Sequence, residues 1–190
     1  MNYLAHAYLN GSRSNEVLMG NMMGDFVKGK QFEQYSADIQ AGIKLHRAID
    51  TYTDTHSIVS EAKKVFAPVY AHYSGVLVDV MWDYFLANDT SVFPTEQTLA
   101  SFTQHVYAVL GKHDNLMTER MAYMTSYMIK YDWLYNYRTE EGIASSWRGM
   151  SKRIEHLQAA DEAISLFAEH RSTFRSMYEQ LRNDLQKEFL

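Results

Sequence analysis

The stretch 76–86 narrows the folds open to this chain more than any other. Wound as a helix at about 100° per residue, Val76, Leu77, Val80 and Tyr84 cover one side. Val78, Met81, Trp82 and Phe85 cover the next, and Leu86 closes the circle. A helix that is apolar nearly all round has to be buried, so other elements must pack on every side of it. Only Asp79 and Asp83 break the pattern, one turn apart on a single stripe. Carboxylates on a buried helix are costly unless paired or bound to a cation, and two of them repel each other. Two readings stay open from pattern alone: a partner arginine or an N-cap from elsewhere in the fold, or a metal or catalytic role.

The rest of the sequence supplies the helices that such a core needs. In 190 residues there are two prolines, Pro68 and Pro94, and nine glycines, so long stretches run without a breaker. Helices are expected over 17–27, 38–52, 59–73 (kinked or divided at Pro68), 75–88, 96–110, 117–137, 140–154 and 160–189. The segment 2–9 reads as short and mildly apolar. Turns or loops are expected at 10–15, 89–95 and 111–115. Leu45, Ile49 and Tyr52 mark one face of the 38–52 helix, and Gly20 and Gly24 would let another backbone approach closely. Strand signals are weak throughout. The expectation is an all-α, compact, single-domain bundle of seven or eight helices spanning 1–190.

Charge and composition remove several function classes. Eighteen Lys and Arg against 23 Asp and Glu give a net charge of −5, which argues against general nucleic-acid binding. With no cysteine, disulfides, thiolate metal sites and a cysteine nucleophile are all out of reach, and any metal must be held by His, Asp, Glu or Asn. The opening lacks the basic start and apolar length of a secretory signal, and no segment approaches the roughly 20 apolar residues of a membrane span. A cytoplasmic protein without membrane contact is therefore expected.

Two further segments carry charges of note. In 45–56, His46 and Asp50 stand at i and i+4 on one helix face, with Asp54 a turn later and His56 beyond it. An imidazole and a carboxylate one turn apart can share a cation, though they can equally form a local bond on a solvated face. In 20–30, Asp25 lies inside an apolar run with Lys28 three residues on, which alone is a weak signal. His6 is weaker still, because a lone histidine among apolar residues is more often a satisfied core group. His72, His105, His113, His156 and His170 show no partner spacing and read as structural. The aromatic tract 123–137, with Trp133, and the nearby Trp147 read as core. No phosphate-binding glycine loop, GxSxG elbow or HExxH motif is present.

Taken in order, MNYLAHAYL, GNMMGDFVKG, GIKLHRAIDTYTDTH and VLVDVMWDYFLA resemble the blocks of the acyl carrier protein phosphodiesterase family, and YDWLYNYRTEEGIASSWRGMSKRI resembles its C-terminal block more loosely. The resemblance implies an all-α, HD-domain-like fold related to metal-dependent phosphohydrolases. It implies hydrolysis of the phosphodiester joining 4′-phosphopantetheine to a serine of holo-acyl carrier protein, with a divalent metal, Mn2+ or else Mg2+. Two departures stand out. Asp83-Tyr84-Phe85 replaces the family's common Asp-His-Phe, and Ser176-Met177-Tyr178-Glu179 stands where a Phe-Tyr-Pro-like closing motif is expected.

On that reading the candidate metal ligands are Asp25, His46, Asp50, Asp79 and Asp83, with His6 as an addition. Lys28 and Arg47 would balance charge on phosphoryl oxygens, and Asp54 or His56 would move a proton or orient a ligand. A rim of Lys28, Lys30, Lys44, Arg47, Lys63 and Lys64 would meet the acidic carrier. The rival readings are an HD-like metal phosphohydrolase acting on a nucleotide and a catalytically inactive helical binding module.

Overall fold

The computed structural model of the chain describes residues 1–151 and 160–190. Among the described residues there is no strand. The α-helices are α1 (Tyr3–Tyr8), α2 (Asn15–Met23), α3 (Ala37–Thr55), α4 (Ser57–Tyr70), α5 (Ser74–Ala87), α6 (Glu96–Lys112), α7 (Glu119–Lys130), α8 (Trp133–Asn136), α9 (Glu140–Ser151) and α10 (Ala160–Phe189). Ile154, the expected end of the α9 helix, and His156 lie outside the described residues.

The apolar helix sits where its pattern requires. α5 packs against α1, α4, α9 and α10, and Leu77, Val78, Val80, Met81, Trp82 and Phe85 are all buried. α10 closes the bundle: Phe167, Phe174, Tyr178, Leu181 and Leu185 fall on one buried stripe, as residues three and four apart do on a helix. Phe66 of α4 stacks on Phe174 with ring centroids 5.5 Å apart. The loop after α5 is tied to α10 by Asp89, which accepts from the Tyr178 hydroxyl and pairs with Arg182.

More and shorter helices form than expected, for local reasons. The 117–137 helix divides into α7 and α8 because Asp132 takes a left-handed conformation (φ 47°), which stops a right-handed helix. The 17–27 helix ends at Met23 and tightens into a 3-10 turn, Gly24–Phe26. Pro68 does not divide the helix: it stays within α4, which ends at Tyr70 with Ala71 (φ 47°) as its cap. Lys64 and Pro68 are exposed, so water can reach the carbonyl that the proline leaves without a donor. The segment 2–9 is a true helical turn, α1, and it is almost wholly buried. The core face of α3 is also turned from the expected one. Ile39, Ile43, His46, Ile49 and Thr53 are buried, whereas Leu45 and Tyr52 are only half-buried.

Buried Asp83 fixes α1 to α5. One carboxylate oxygen accepts the Leu4 N–H and the other the Ala5 N–H, both at 2.9 Å. These are N–H groups that the start of a helix cannot satisfy internally. Asp83 is therefore the N-cap of the open alternatives, and its two oxygens are spent on α1; that is the physical reason it stands apart from the ligand set expected for it. Burial outweighs those two bonds and pushes its carboxyl up to about 7.

α2 and α3 meet at glycines. A Cβ on Gly20 would lie 2.2 Å from the Ile39 carbonyl oxygen, and one on Gly42 would lie 2.1 Å from that of Val17. The two backbones thus touch with no room for a methyl group. Gly42→Ala should cost about 3 kcal/mol by forcing the helices apart, lowering Tm by about 6–12 °C; a thermal melt of the variant checks this.

Candidate metal centre

The close α2–α3 crossing brings polar groups from separate elements together, with His6, Asn21 and His46 buried, Asp50 half-buried and Asp25 exposed. His6 comes from α1, Asn21 from α2, Asp25 from the following 3-10 turn, and His46 and Asp50 from α3. The His6 and His46 rings stack almost parallel, with centroids 3.9 Å apart and planes 11° apart. Gly24 makes room for this, since a Cβ there would lie 2.0 Å from the His46 ring.

One carboxylate serves both rings. Asp50 places Oδ1 3.1 Å from His6 Nε2 and Oδ2 3.0 Å from His46 Nε2, and Asp25 Oδ1 stands 3.3 Å from that same His46 nitrogen. The far nitrogens are held by Asn21, which is wholly buried. His46 Nδ1 lies 2.8 Å from the Asn21 backbone oxygen, which can only accept, so Nδ1 carries the proton of the neutral ring. The Asn21 amide donates to the His6 carbonyl at 2.7 Å and turns its own oxygen to His6 Nδ1 at 3.2 Å. Both Nδ1 atoms are thus set to donate, and both Nε2 lone pairs aim at carboxylate oxygens.

Lone pairs facing carboxylates need a positive charge between them. A proton can supply part of it. Burial pulls on His46, yet the bonds to Asp25 and Asp50 overcome it and raise the imidazole to about 9. Burial wins at His6 and drops it to about 4, against the Asp50 bond and beside the charged neighbouring ring. The His46 bond holds Asp25 below the usual carboxylate range. Asp50 also lies well below it, because its bonds to His46 and His6 outweigh burial. A neutral His6 has one proton for two acceptors, Asn21 Oδ1 and Asp50 Oδ1, so protons alone leave the cluster short. A cation ligated by both Nε2 atoms removes the shortfall. His6, His46 and Asp50 each offer a ligand atom within 4.8 Å of the others. Two imidazoles and a carboxylate fit a divalent metal ion, with Nδ1–H bonds that fix each ring as metal sites require.

Asp79 flanks this cluster without joining it directly. It is half-buried, and its Oδ1 lies 3.5 Å from the Met1 ammonium, which in turn lies 3.2 Å from Asp50 Oδ1. Burial pushes the Asp79 carboxyl up, with the ammonium pulling the other way. Burial also pulls the ammonium down, but Asp79 and Asp50 outweigh it and raise it to about 10.

The remaining expected residues are placed elsewhere. Arg47 donates to the Val27 and Gly29 carbonyls and lies over Phe32, so it clamps the turn after Asp25. Lys28 is exposed at the start of the next 3-10 turn, Gly29–Gln34, which carries Lys30; Lys44 reaches over the same Phe32. Asp54 is exposed and pairs with Lys63, and Lys64 pairs with Glu61. His56 caps α4 through the Ile58 N–H and turns its Nε2 toward Asp184 of α10. His56 is thus turned to α10, whereas Asp54, one turn beyond Asp50, is near enough to act on the Met1 ammonium and on Asp79. Tyr84 packs edge-on against Phe85 and Phe167, so its exchange for histidine falls in the core packing.

Beside the cluster lies a groove of about 850 Å3, within the usual range for a ligand site. Asp25 and Asp79 form part of its wall, as do Arg120, Tyr123, Tyr131 and Trp133. The aromatic tract expected to be core is therefore split: Trp147 is buried, but Tyr123, Tyr127 and Tyr131 are exposed. Asn21 and Arg120 were not singled out from sequence. An asparagine within the apolar run 17–23 carries the same signal as Asp79 and Asp83. Arg120 carries none, since an arginine in the first turn of an amphipathic helix is commonplace.

Fold and cluster together define an all-α protein with a histidine–carboxylate centre suited to a divalent cation. The chain belongs to the acyl carrier protein phosphodiesterase family, whose model matches residues 1–185. It is 31% identical to the acyl carrier protein phosphodiesterase of Photorhabdus laumondii, over 95% of this chain and 90% of that one. It is 32% identical to that of Yersinia pestis, over 94% and 92%, and 34% identical to that of Escherichia coli O6:H1, over 84% and 82%. No solved structure matches the chain.

The raised imidazole gives a signed pH test. Without metal, the His46 contribution to stability is complete below pH 6.5 and is lost as pH rises through about 9. With metal the ring must be unprotonated, so stabilisation by Mn2+ should grow over the same interval. Melts in chelator and in Mn2+ should diverge from pH 6.5 to 9, and His46→Asn should remove the divergence. Gly24→Ala should displace the ring and weaken Mn2+ binding by about 10-fold or more, measured by calorimetry.

Proposed function

We propose that this protein hydrolyses the phosphodiester between 4′-phosphopantetheine and the serine of holo-acyl carrier protein, releasing apo-carrier and 4′-phosphopantetheine. The observation that carries the reading is the convergence of both Nε2 lone pairs on the carboxylates of Asp50 and Asp25 beside an open groove. Membership of the family supports the substrate. His6, His46 and Asp50 would hold the ion, with Asp25 at its edge and Asp79 beside it. Mn2+ or Mg2+ there supplies Lewis-acid stabilisation of phosphoryl charge and makes water more acidic.

The protein's own groups orient and exchange protons. Asn21 locks both rings in the tautomer that leaves Nε2 free. Asp79, half-buried on the groove wall with a raised carboxyl, takes the proton of the attacking water and returns it to the departing serine oxygen. Water oxygen bonds to phosphorus as the phosphorus–serine bond breaks. In this reading the transfer runs through Asp79; His56 caps α4 and turns to Asp184, and Asp54 pairs with Lys63 close to Asp79. Lys28, Lys30 and Lys44, exposed around the turn after Asp25, form the rim for an acidic carrier. Lys63 and Lys64 already face acidic residues. The same reading places the protein in the cytoplasm with its substrate; no helix among the described residues is long and apolar enough to cross a membrane. An all-helical core holding histidines and aspartates also supports kinship with the HD-type phosphohydrolases.

Incubation of holo-carrier with protein and Mn2+ should yield apo-carrier and phosphopantetheine by mass spectrometry, and chelator should stop it. His46→Ala and Asp50→Asn should lower turnover by at least about 100-fold. Turnover of cyclic nucleotides but not holo-carrier would favour the nucleotide reading, and absence of both turnover and metal would favour a binding module. Charge reversal at Lys28 and Lys30 should raise KM for the carrier more than reversal at Lys63 and Lys64, and the effect should shrink in salt.

A further inference from the structure

The groove is lined by residues of α5, α7, α8 and α9 and reaches the metal centre at Asp25 and Asp79. Among the described residues, Arg120 is its only arginine or lysine. The guanidinium lies over the ring of Phe26, 6.0 Å from the centroid. Phe26 directly follows Asp25, so this cation stands next to the segment that carries a carboxylate of the centre. Arg120 is exposed, and within the described residues no hydrogen bond or ion pair occupies it. From Arg120 the same face of α7 continues through Tyr123 and Tyr127 to Tyr131 just past its end, at helical spacings of three and four. Their rings run in sequence, 4.9 Å and then 5.9 Å apart. Trp133 and Met150 extend the wall.

We propose that this groove receives the phosphopantetheine arm, with Arg120 gripping the phosphodiester and Tyr123 and Tyr131 lining the path of the arm. The inference rests on the phosphodiesterase reading and names the residues that would recognise its substrate. The chemistry matches on each count. A phosphodiester is a singly charged anion, and a guanidinium free of other partners beside the centre binds its non-bridging oxygens as a fork. The arm is a chain of amides with a branched dimethyl carbon, and tyrosine offers an apolar face and a hydroxyl to such a chain. Continuity of the wall with Asp25 and Asp79 places the phosphorus end at the centre and leaves the rest of the arm in the groove. Arg120, rather than Arg47, is then the arginine that meets substrate, since Arg47 is held by two backbone carbonyls.

The test is a binding cycle independent of turnover, using wild type and Arg120→Ala with 4′-phosphopantetheine and with pantetheine, which lacks the phosphate. Calorimetry should show wild type favouring the phosphorylated ligand by at least tenfold, and Arg120→Ala should erase that preference. Arg120→Lys should restore part of it. Tyr131→Ala should weaken both ligands to a similar degree. In the carrier assay, Arg120→Ala and Tyr131→Ala should each raise KM by fivefold or more. On bis(p-nitrophenyl) phosphate, a diester without the arm, Arg120→Ala should still lower the rate. Equal preference for the phosphorylated ligand in wild type and Arg120→Ala would overturn the proposal while the carrier hydrolysis stood. A wild-type protein that neither binds phosphopantetheine nor cleaves holo-carrier in Mn2+ would remove both.

Discussion

Asp83 accepts the Leu4 and Ala5 N–H groups from inside the central helix, and the position of everything else in the centre follows from that bond. α1 is only six residues long, too short to be stable by itself. It exists because a buried carboxylate satisfies its first amides and because Leu4, Ala5 and Ala7 pack into the core around it. With α1 so pinned, His6 is carried under α3, where its ring lies flat on that of His46. The cost of burying a charge on α5 is offset by ordering the segment that delivers half of the imidazole pair.

The second constraint is steric. Gly20, Gly24 and Gly42 remove the side chains that would hold α2 and the following turn away from α3. Only at that separation can Asn21 reach both rings at once, with its backbone oxygen on His46 and its side chain on His6. Metal affinity and packing are thus coupled: the same close approach that stabilises the bundle fixes which nitrogen of each histidine faces the carboxylates.

Charge divides the site from its surroundings. The centre gathers Asp25, Asp50 and Asp79, with two imidazoles and an ammonium among them. Basic side chains stay outside it. Arg47 is spent on the turn that follows Asp25, Lys63 and Lys64 on neighbouring acids, and Arg120 stands on the groove wall over Phe26. Acids at the centre with a guanidinium on the groove wall beside them favour a cation among the acids and an anion next to it, which is the charge order of a phosphodiester bound at a metal.

Sequence by itself determined the helical class, the burial of 76–86, and the need to account for Asp79 and Asp83, because helical periodicity and the cost of buried charge act within one segment. It also marked His46 and Asp50 as neighbours, since i and i+4 share a helix face. It did not separate Asp83, a cap, from Asp79, a wall of the groove, because one stripe on one helix can face two different neighbours along its length. It misjudged the tract 123–137, where aromatic content is the same for a core and for a groove wall, and it could not see that a left-handed Asp132 would break the helix there. The pairing of His6 with His46, the reach of Asn21 and the placing of Arg120 against Phe26 belong to tertiary structure alone. They join residues from different elements, and periodicity carries no information about which helix lies across from which.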